Sequence, residues 1–225
     1  MKNKNLIPIT FIGVLILLFS VSCGTKNTGN QESLPTSVAC SSSSENAATL
    51  SIPDGTFEAK EATAPIQIDG CSKEAIWADL DWYGLNYVWM GEPVDENDYN
   101  GRFKLAWDAE YLYVLVEVVD EYLNPTLKNG IENYWKGDYV EVFIESGGNH
   151  KFNHQAFAYH VSTEGHAIDK STSEETIFLD EHIQVARSQE ANKHIWEMAI
   201  RLYDQSFDEN SSKNIPVPIL KNKRI

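Results

Sequence analysis

An all-β fold, an antiparallel β-sandwich of jelly-roll-like type, is what this sequence predicts for residues 63–225, and three observations carry the prediction. Segments with a two-residue apolar period dominate this part of the chain. Turns rich in Gly, Asn and Asp separate them, and helical periodicity is scarce. About 160 residues suit one domain.

The elements can be justified in order. Residues 72–78 predict a short helical turn that places Trp77 in the core. Residues 102–107 (RFKLAW) alternate and are followed by the polar turn Asp108-Ala109-Glu110. Residues 111–119 (YLYVLVEVV) carry Leu112, Val114, Val116 and Val118 on one face and Tyr111, Tyr113, Leu115 and Val119 on the other. A strand apolar on both faces belongs in the middle of a covered sheet. Further strands are predicted at 139–145, 156–162, 182–188 and 194–202, the last with Trp196, Met198, Ile200 and Leu202 on one face. Trp77, Trp107 and Trp196 are expected in the core, and Trp82 and Trp89 as packing within a loop.

Upstream of the domain the composition changes twice. Lys2 and Lys4 precede an apolar run at 6–19 that is too short and wrongly flanked to span a membrane, so residues 1–22 read as an export leader. The Ser-Val-Ser-Cys ending resembles a bacterial lipobox, with Ser20 where Leu is commonest. That resemblance implies a diacylated Cys23 and a membrane anchor, on the outer membrane or cell surface. Residues 23–62, rich in Ser, Thr, Asn, Gly and Ala, predict a flexible tether, because they lack the apolar surface needed to offset ordering. With Cys23 assigned to lipid, Cys40 and Cys71 remain and could pair in an oxidising compartment.

The formal net charge is −15, and it becomes more acidic once Lys2 and Lys4 are removed. Nucleic acid is therefore not an expected partner, since phosphate contacts need a basic surface. His150 and His154 fall in a glycine-rich loop without a third ligand, so no zinc site is expected. No cofactor is expected, although loop carboxylates leave room for a structural Ca2+.

The segment with most chemical content is WKGDYVEVFIE at 135–145. Val140, Val142 and Ile144 form an ordinary core face. Tyr139, Glu141, Phe143 and Glu145 occupy the opposite face, beside Trp135. An acid among aromatic rings needs a hydrogen-bonding partner. The combination suits a polar ligand with flat apolar faces, which describes a sugar.

Together with Ile68-Asp69-Gly70, Trp77 and the block FKLAWDAEYLYVLVEVVD, this segment resembles the family 9 carbohydrate-binding modules, from about Pro65 to Ile225. The resemblance implies a non-catalytic β-sandwich that supports polysaccharide capture and catabolism. Such modules occur alone or attached to glycoside hydrolases, and grip sugar chain ends between aromatic rings while carboxylates and amides hydrogen-bond the hydroxyls. Partners implied are an oligo- or polysaccharide of xylan or glucan type and a glycoside hydrolase. Residue by residue, Trp135 matches a stacking Trp, and Asp120 and Glu141 match acids that accept hydroxyl bonds. Gln155 stands in the strand 155–161 (QAFAYHV), where the family commonly has an Arg. The chain ends at Ile225, where relatives continue into a strand and a loop with a second Trp, so the sandwich is expected to be incomplete at its C-terminus. Two other readings compete. Asp120 and Glu141 could be the acid pair of a glycoside hydrolase acting on a xylan-type polysaccharide. A haem-binding sandwich would need axial ligands such as Met90, Met198 or His160.

Overall fold

The computed structural model describes residues 49–50, 57–85, 99–144, 157–170 and 175–201. The export leader, Cys23, Trp89, Met90, His150, His154, Gln155 and residues 202–225 lie outside the described residues.

The chain forms two β-sheets facing each other across one core. The strands are β1 (Thr49–Leu50), β2 (Lys60–Glu61), β3 (Trp82–Gly84), β4 (Tyr99–Trp107), β5 (Tyr111–Asp120), β6 (Tyr139–Ile144), β7 (Phe157–Ser162), β8 (Ala167–Lys170), β9 (Thr176–Phe178), β10 (Ile183–Glu190) and β11 (Lys193–Arg201). One sheet runs β1-β3-β4-β5-β11-β10, with β2 also pairing β4. The other runs β6-β7-β8-β9. All pairs are antiparallel except the short β1–β3 and β2–β4 contacts at one edge.

The predicted β-sandwich is thus the observed fold, and its alternation holds strand by strand. Between the sheets lie Phe103 and Leu105 from β4, Leu112 to Val118 at even positions from β5, and Trp196, Met198 and Ile200 from β11. Val140, Val142, Tyr159 and Val161 meet them from the smaller sheet. Strand β5 is central, as its two apolar faces require. Its second face, with Tyr113 and Leu115, is covered by Ile66, Trp77, Leu80 and Trp82. Helix α1 (Ala75–Ala78) is a single turn that delivers Trp77 to this second cluster. Trp107 departs from the expectation of a core position. It is half-buried at the end of β4, where its indole N–H donates to the Ala59 carbonyl at 3.2 Å.

Part of the predicted tether is also revised. Strands β1 and β2 fall inside 23–62, and Phe57 and Ala59 pack on the main core, so the ordered sandwich takes in residues before 63. The physical reason is that the edges of β3 and β4 offer unpaired backbone groups, which β1 and β2 respectively satisfy.

The Ile68-Asp69-Gly70 motif is held by a buried acid. Glu197 on β11 accepts the Asp69 and Gly70 amides at 3.0 and 2.8 Å and the Trp77 indole N–H at 2.9 Å. Burial raises its pKa in spite of these three donors. Gly70 has φ +78°, and a Cβ there would lie 2.9 Å from the Arg187 carbonyl carbon, so the turn requires glycine on both counts. The adjoining Cys71 is disulfide-bonded.

Candidate functional site

The face of β6 that carries Tyr139, Glu141 and Phe143 points away from the core, because Val140 and Val142 fill it from the other side. Register places Glu141 directly opposite His160 on β7. Their side chains meet, with His160 Nε2 2.6 Å from Glu141 Oε1, and both residues are about 5% exposed. On its other side His160 Nδ1 donates to the Ile168 carbonyl at 3.1 Å. A ring nitrogen bound to a carbonyl must carry hydrogen. The short Nε2–Oε1 contact makes the two side chains one buried pair. Glu141 is the acid among rings that the sequence marked, and His160 is the partner its burial demanded.

Three rings surround that imidazole. Tyr134, Tyr139 and Phe143 lie with centroids 4.8, 5.1 and 6.5 Å from it, all edge-to-face. Burial raises the pKa of both phenols. For Tyr134 the charges of Asp169 and then Glu141 add to this, and for Tyr139 those of Glu141 and Tyr134. Both hydroxyls stay protonated and remain donors at neutral pH.

Trp135 stands on this floor. It belongs to a 3-10 segment, Ile131–Lys136, in which Tyr134 points in and Trp135 points out, 46% exposed. The two rings meet edge-to-face at 5.6 Å. Lys170 Nζ lies 6.0 Å from the indole centroid. Gly137 explains the tight return into β6, since a Cβ there would lie 2.4 Å from Thr126 Cα. Around it, Thr126 Oγ1 donates to the Asp138 carbonyl and accepts the Thr163 amide at 2.9 Å. The Trp135 segment is thereby tied to the end of β7 rather than left as a free loop.

Asp120 has a different setting. It ends β5, in the larger sheet, and its Oδ1 accepts the Tyr122 amide at 2.8 Å. Its charge is felt by Tyr99 and by buried Asp138, whose pKa burial pushes up to about 6. Its carbonyl receives His194 Nε2 at 3.2 Å. Trp135 and Glu141 therefore share the outer face of the small sheet, while Asp120 closes the turn leading towards it. The haem reading is weakened, since Met198 is fully buried in the core and both nitrogens of His160 are engaged. Sequence reasoning missed His160 as part of this site, although its alternation with core residues Tyr159 and Val161 was the available signal.

The family model described as "Carbohydrate family 9 binding domain-like" matches residues 68–223. Endo-1,4-beta-xylanase A of Thermotoga maritima is 38% identical over 84 residues, covering 37% of this chain and only 7% of the xylanase. Two solved structures of a family 9 carbohydrate binding module from Caldicellulosiruptor kristjanssonii are also similar. The one in complex with glucose aligns at a TM-score of 0.42 and 19% identity over 64% of this chain and 67% of its own. The one with cellotriose aligns at 0.41 and 22% identity over 64% of this chain and 66% of its own.

Proposed function

The chain belongs to the carbohydrate family 9 binding domain-like family, a non-catalytic, carbohydrate-binding one, and from that premise we propose that its small sheet binds an oligo- or polysaccharide of glucan or xylan type. The observation that carries this reading is Trp135, half-exposed over a floor of buried polar and aromatic groups. A sugar ring offers axial C–H groups to the indole face and hydroxyls around its rim. Glu141 is held through Oε1 by His160, and Oε2, its remaining carboxyl oxygen, is the acceptor we assign to a sugar hydroxyl. Asp120, whose Oδ1 holds the Tyr122 amide at the turn after β5, remains a candidate acceptor for a second hydroxyl, and Gln155 remains a candidate amide donor or acceptor. The two similar structures are complexes with glucose and with cellotriose, which makes a β-glucan the first ligand to try. The xylanase relative supports xylan and a glycoside hydrolase acting nearby.

The same proposal places the domain outside the cytoplasm, anchored through a lipid on Cys23 and contributing to polysaccharide capture for catabolism. The disulfide at Cys71 supports an oxidising compartment. If Cys23 carries lipid, Cys40 is the cysteine left to pair with Cys71. A structural Ca2+ remains part of the proposal without assigned ligands.

Trp135→Ala tests the site. About half of an indole's surface is exposed, so a stacked sugar and the ring together bury on the order of 120 Å² of apolar area, worth about 3 kcal/mol. Calorimetric titration with cello- and xylo-oligosaccharides should show a loss of roughly a hundredfold with the unfolding midpoint little changed. Unchanged affinity removes Trp135 from the site.

A further inference from the structure

The segment that carries Trp135 leaves β5 after Asp120 and returns to the sheets at β6, and one buried carboxyl clasps its two ends. Asp138, the residue before β6, is 3% exposed. Its Oδ2 accepts the Asn124 amide at 2.6 Å, and its own amide donates to the Asn124 carbonyl at 2.9 Å. Asn124 Nδ2 closes the same junction by donating to the Lys136 carbonyl at 2.8 Å. Between the clasped ends the segment rises onto the small sheet. There Tyr134 packs edge-to-face on His160, and Glu132 Oε2 accepts the Thr176 hydroxyl at 2.9 Å. Trp135, next to Lys136, therefore stands over the Glu141–His160 floor at an attitude set by the junction of Asn124 with Asp138.

The clasp is half-satisfied. Asp138 Oδ1 is buried and has no hydrogen-bond partner among the described residues, a costly arrangement for a charged carboxylate. The groups around it do not relieve that cost. Asp120, at the end of β5, adds a like charge. His194 on β11 donates to the Asp120 carbonyl, and burial lowers its pKa. Tyr99 on β4 stays protonated, its pKa raised by burial and by Asp120. Arg187 on β10 is given to the Thr163 carbonyl, and Glu164 Oε1 to the Leu127 amide at 3.2 Å. A neutral carboxyl therefore suits this place better than an ionised one. In agreement, burial raises the Asp138 pKa from 3.8 to about 6, against the Asn124 amide and with the help of Asp120.

We propose that Asp138 is a positioning residue for the sugar site: its buried carboxyl holds the Trp135 segment in the binding posture when neutral and loosens it when ionised, so that saccharide affinity is higher in mild acid than at neutral pH. This rests on the reading of Trp135 as a sugar-stacking residue; Asp138 itself touches no sugar and acts through the segment. The sign follows from linkage. The clasped form has the higher pKa, so clasping takes up a proton; its full strength is present below about pH 4 and is lost as pH rises through 6. A sugar that needs the clasped form binds in proportion to the fraction clasped.

The test is calorimetry on the full-length chain and on Asp138→Asn, with cello- and xylo-oligosaccharides from pH 4.5 to 7.5. Asparagine keeps an acceptor for the Asn124 amide and cannot ionise, so it imitates the neutral carboxyl at every pH. The two proteins should bind alike at pH 4.5, and Asp138→Asn should bind more tightly at pH 7.5. The ratio of their affinities should change by at least about threefold, with a ceiling of about thirtyfold set by the pKa displacement. Titration of the Glu141–His160 pair is common to both proteins and cancels in that ratio. A second measurement needs no variant: in the unsubstituted chain, hydrogen-exchange protection of the Asn124 amide should fall over this range more than that of the β5 amides, and sugar should restore it at pH 7.5. The inference is overturned if the affinity ratio stays constant within threefold, if Asp138→Asn weakens binding equally at every pH, or if Asn124 protection only follows that of β5. Failure of the underlying reading looks different: either the unsubstituted chain binds none of these sugars at any pH, or Trp135→Ala binds as well as its parent.

Discussion

Removing the imidazole of His160 should turn Glu141 from a stabilising residue into a destabilising one, and the reversal can be sized from the geometry. In the intact protein the two groups meet at 2.6 Å, both almost fully buried, with the ring's other nitrogen given to Ile168. His160→Ala leaves the carboxylate in place with its partner gone. Breaking a buried pair in this way costs about 3–5 kcal/mol, and the void among Tyr134, Tyr139 and Phe143 adds to it. Glu141→Gln alone is mild. A neutral His160 keeps its Nδ1 hydrogen on the Ile168 carbonyl and accepts the new amide N–H at Nε2, so every group remains bonded and the loss is about 0–1.5 kcal/mol. In the His160→Ala background the same change removes a stranded charge and should stabilise by about 1–3 kcal/mol. The two effects of Glu141→Gln have opposite sign, with a coupling of about 1–4.5 kcal/mol. Urea unfolding followed by tryptophan fluorescence measures all four proteins, and equal m-values keep the cycle interpretable. The reasoning fails if Glu141→Gln destabilises both backgrounds alike, or if His160→Ala costs less than 1 kcal/mol.

Two further predictions concern stability and address. Asp138 is buried, with its carboxyl raised from 3.8 to about 6 by burial and by Asp120, against the lowering effect of the Asn124 amide. Because the folded value exceeds the unfolded one, folding takes up a proton between these pH values. Its stabilising contribution is complete below about pH 4 and lost as pH rises through 6. Unfolding free energies of wild type and Asp138→Asn at pH 4 to 7 should therefore diverge by about 3 kcal/mol across that range, the wild type gaining on the acid side; parallel profiles would refute the assignment. For the anchor, a chain expressed in a bacterium fed an alkyne-tagged fatty acid should take up label and sediment with membranes. Cys23→Ser should do neither, and label persisting in that variant would disprove lipidation at Cys23.

How much of this could be read from residues alone follows from the range over which each feature is set. The strands β4, β5, β6 and β11 announce themselves because each buries a continuous alternate face, and Trp196, Met198 and Ile200 fall where their spacing puts them. Strands β1, β2, β3, β8 and β9 have two to four residues each, too few for a period to show, and their neighbours determine them. The Glu141–His160 contact depends on the register between β6 and β7, and a slip of one residue would turn His160 to the other face. Glu197 shows the same limit at longer range. An acid in the middle of HIWEMAI signals a buried partner, but its donors Asp69, Gly70 and Trp77 lie at the other end of the domain.

That limit also decides which tryptophan stays exposed. Trp82 sits in an aromatic stretch as rich as that around Trp135, yet it is buried in the second cluster, with Arg102 and Lys104 at 4.3 and 4.5 Å from its ring. Lys104 is itself fully buried and donates to the Trp77 carbonyl, while Arg102 is held by Glu117 at 2.7 Å. The outer face of the large sheet has spent its rings and charges on one another, and a sugar approaching Trp82 would have to displace those cations. On the small sheet the polar groups are equally well bonded below, but Trp135 and Phe178 stand above them with half their surface in water. On the proposed reading, recognition falls to the face whose ring is still bare, and that exposure is set by sheet pairing rather than by any local motif.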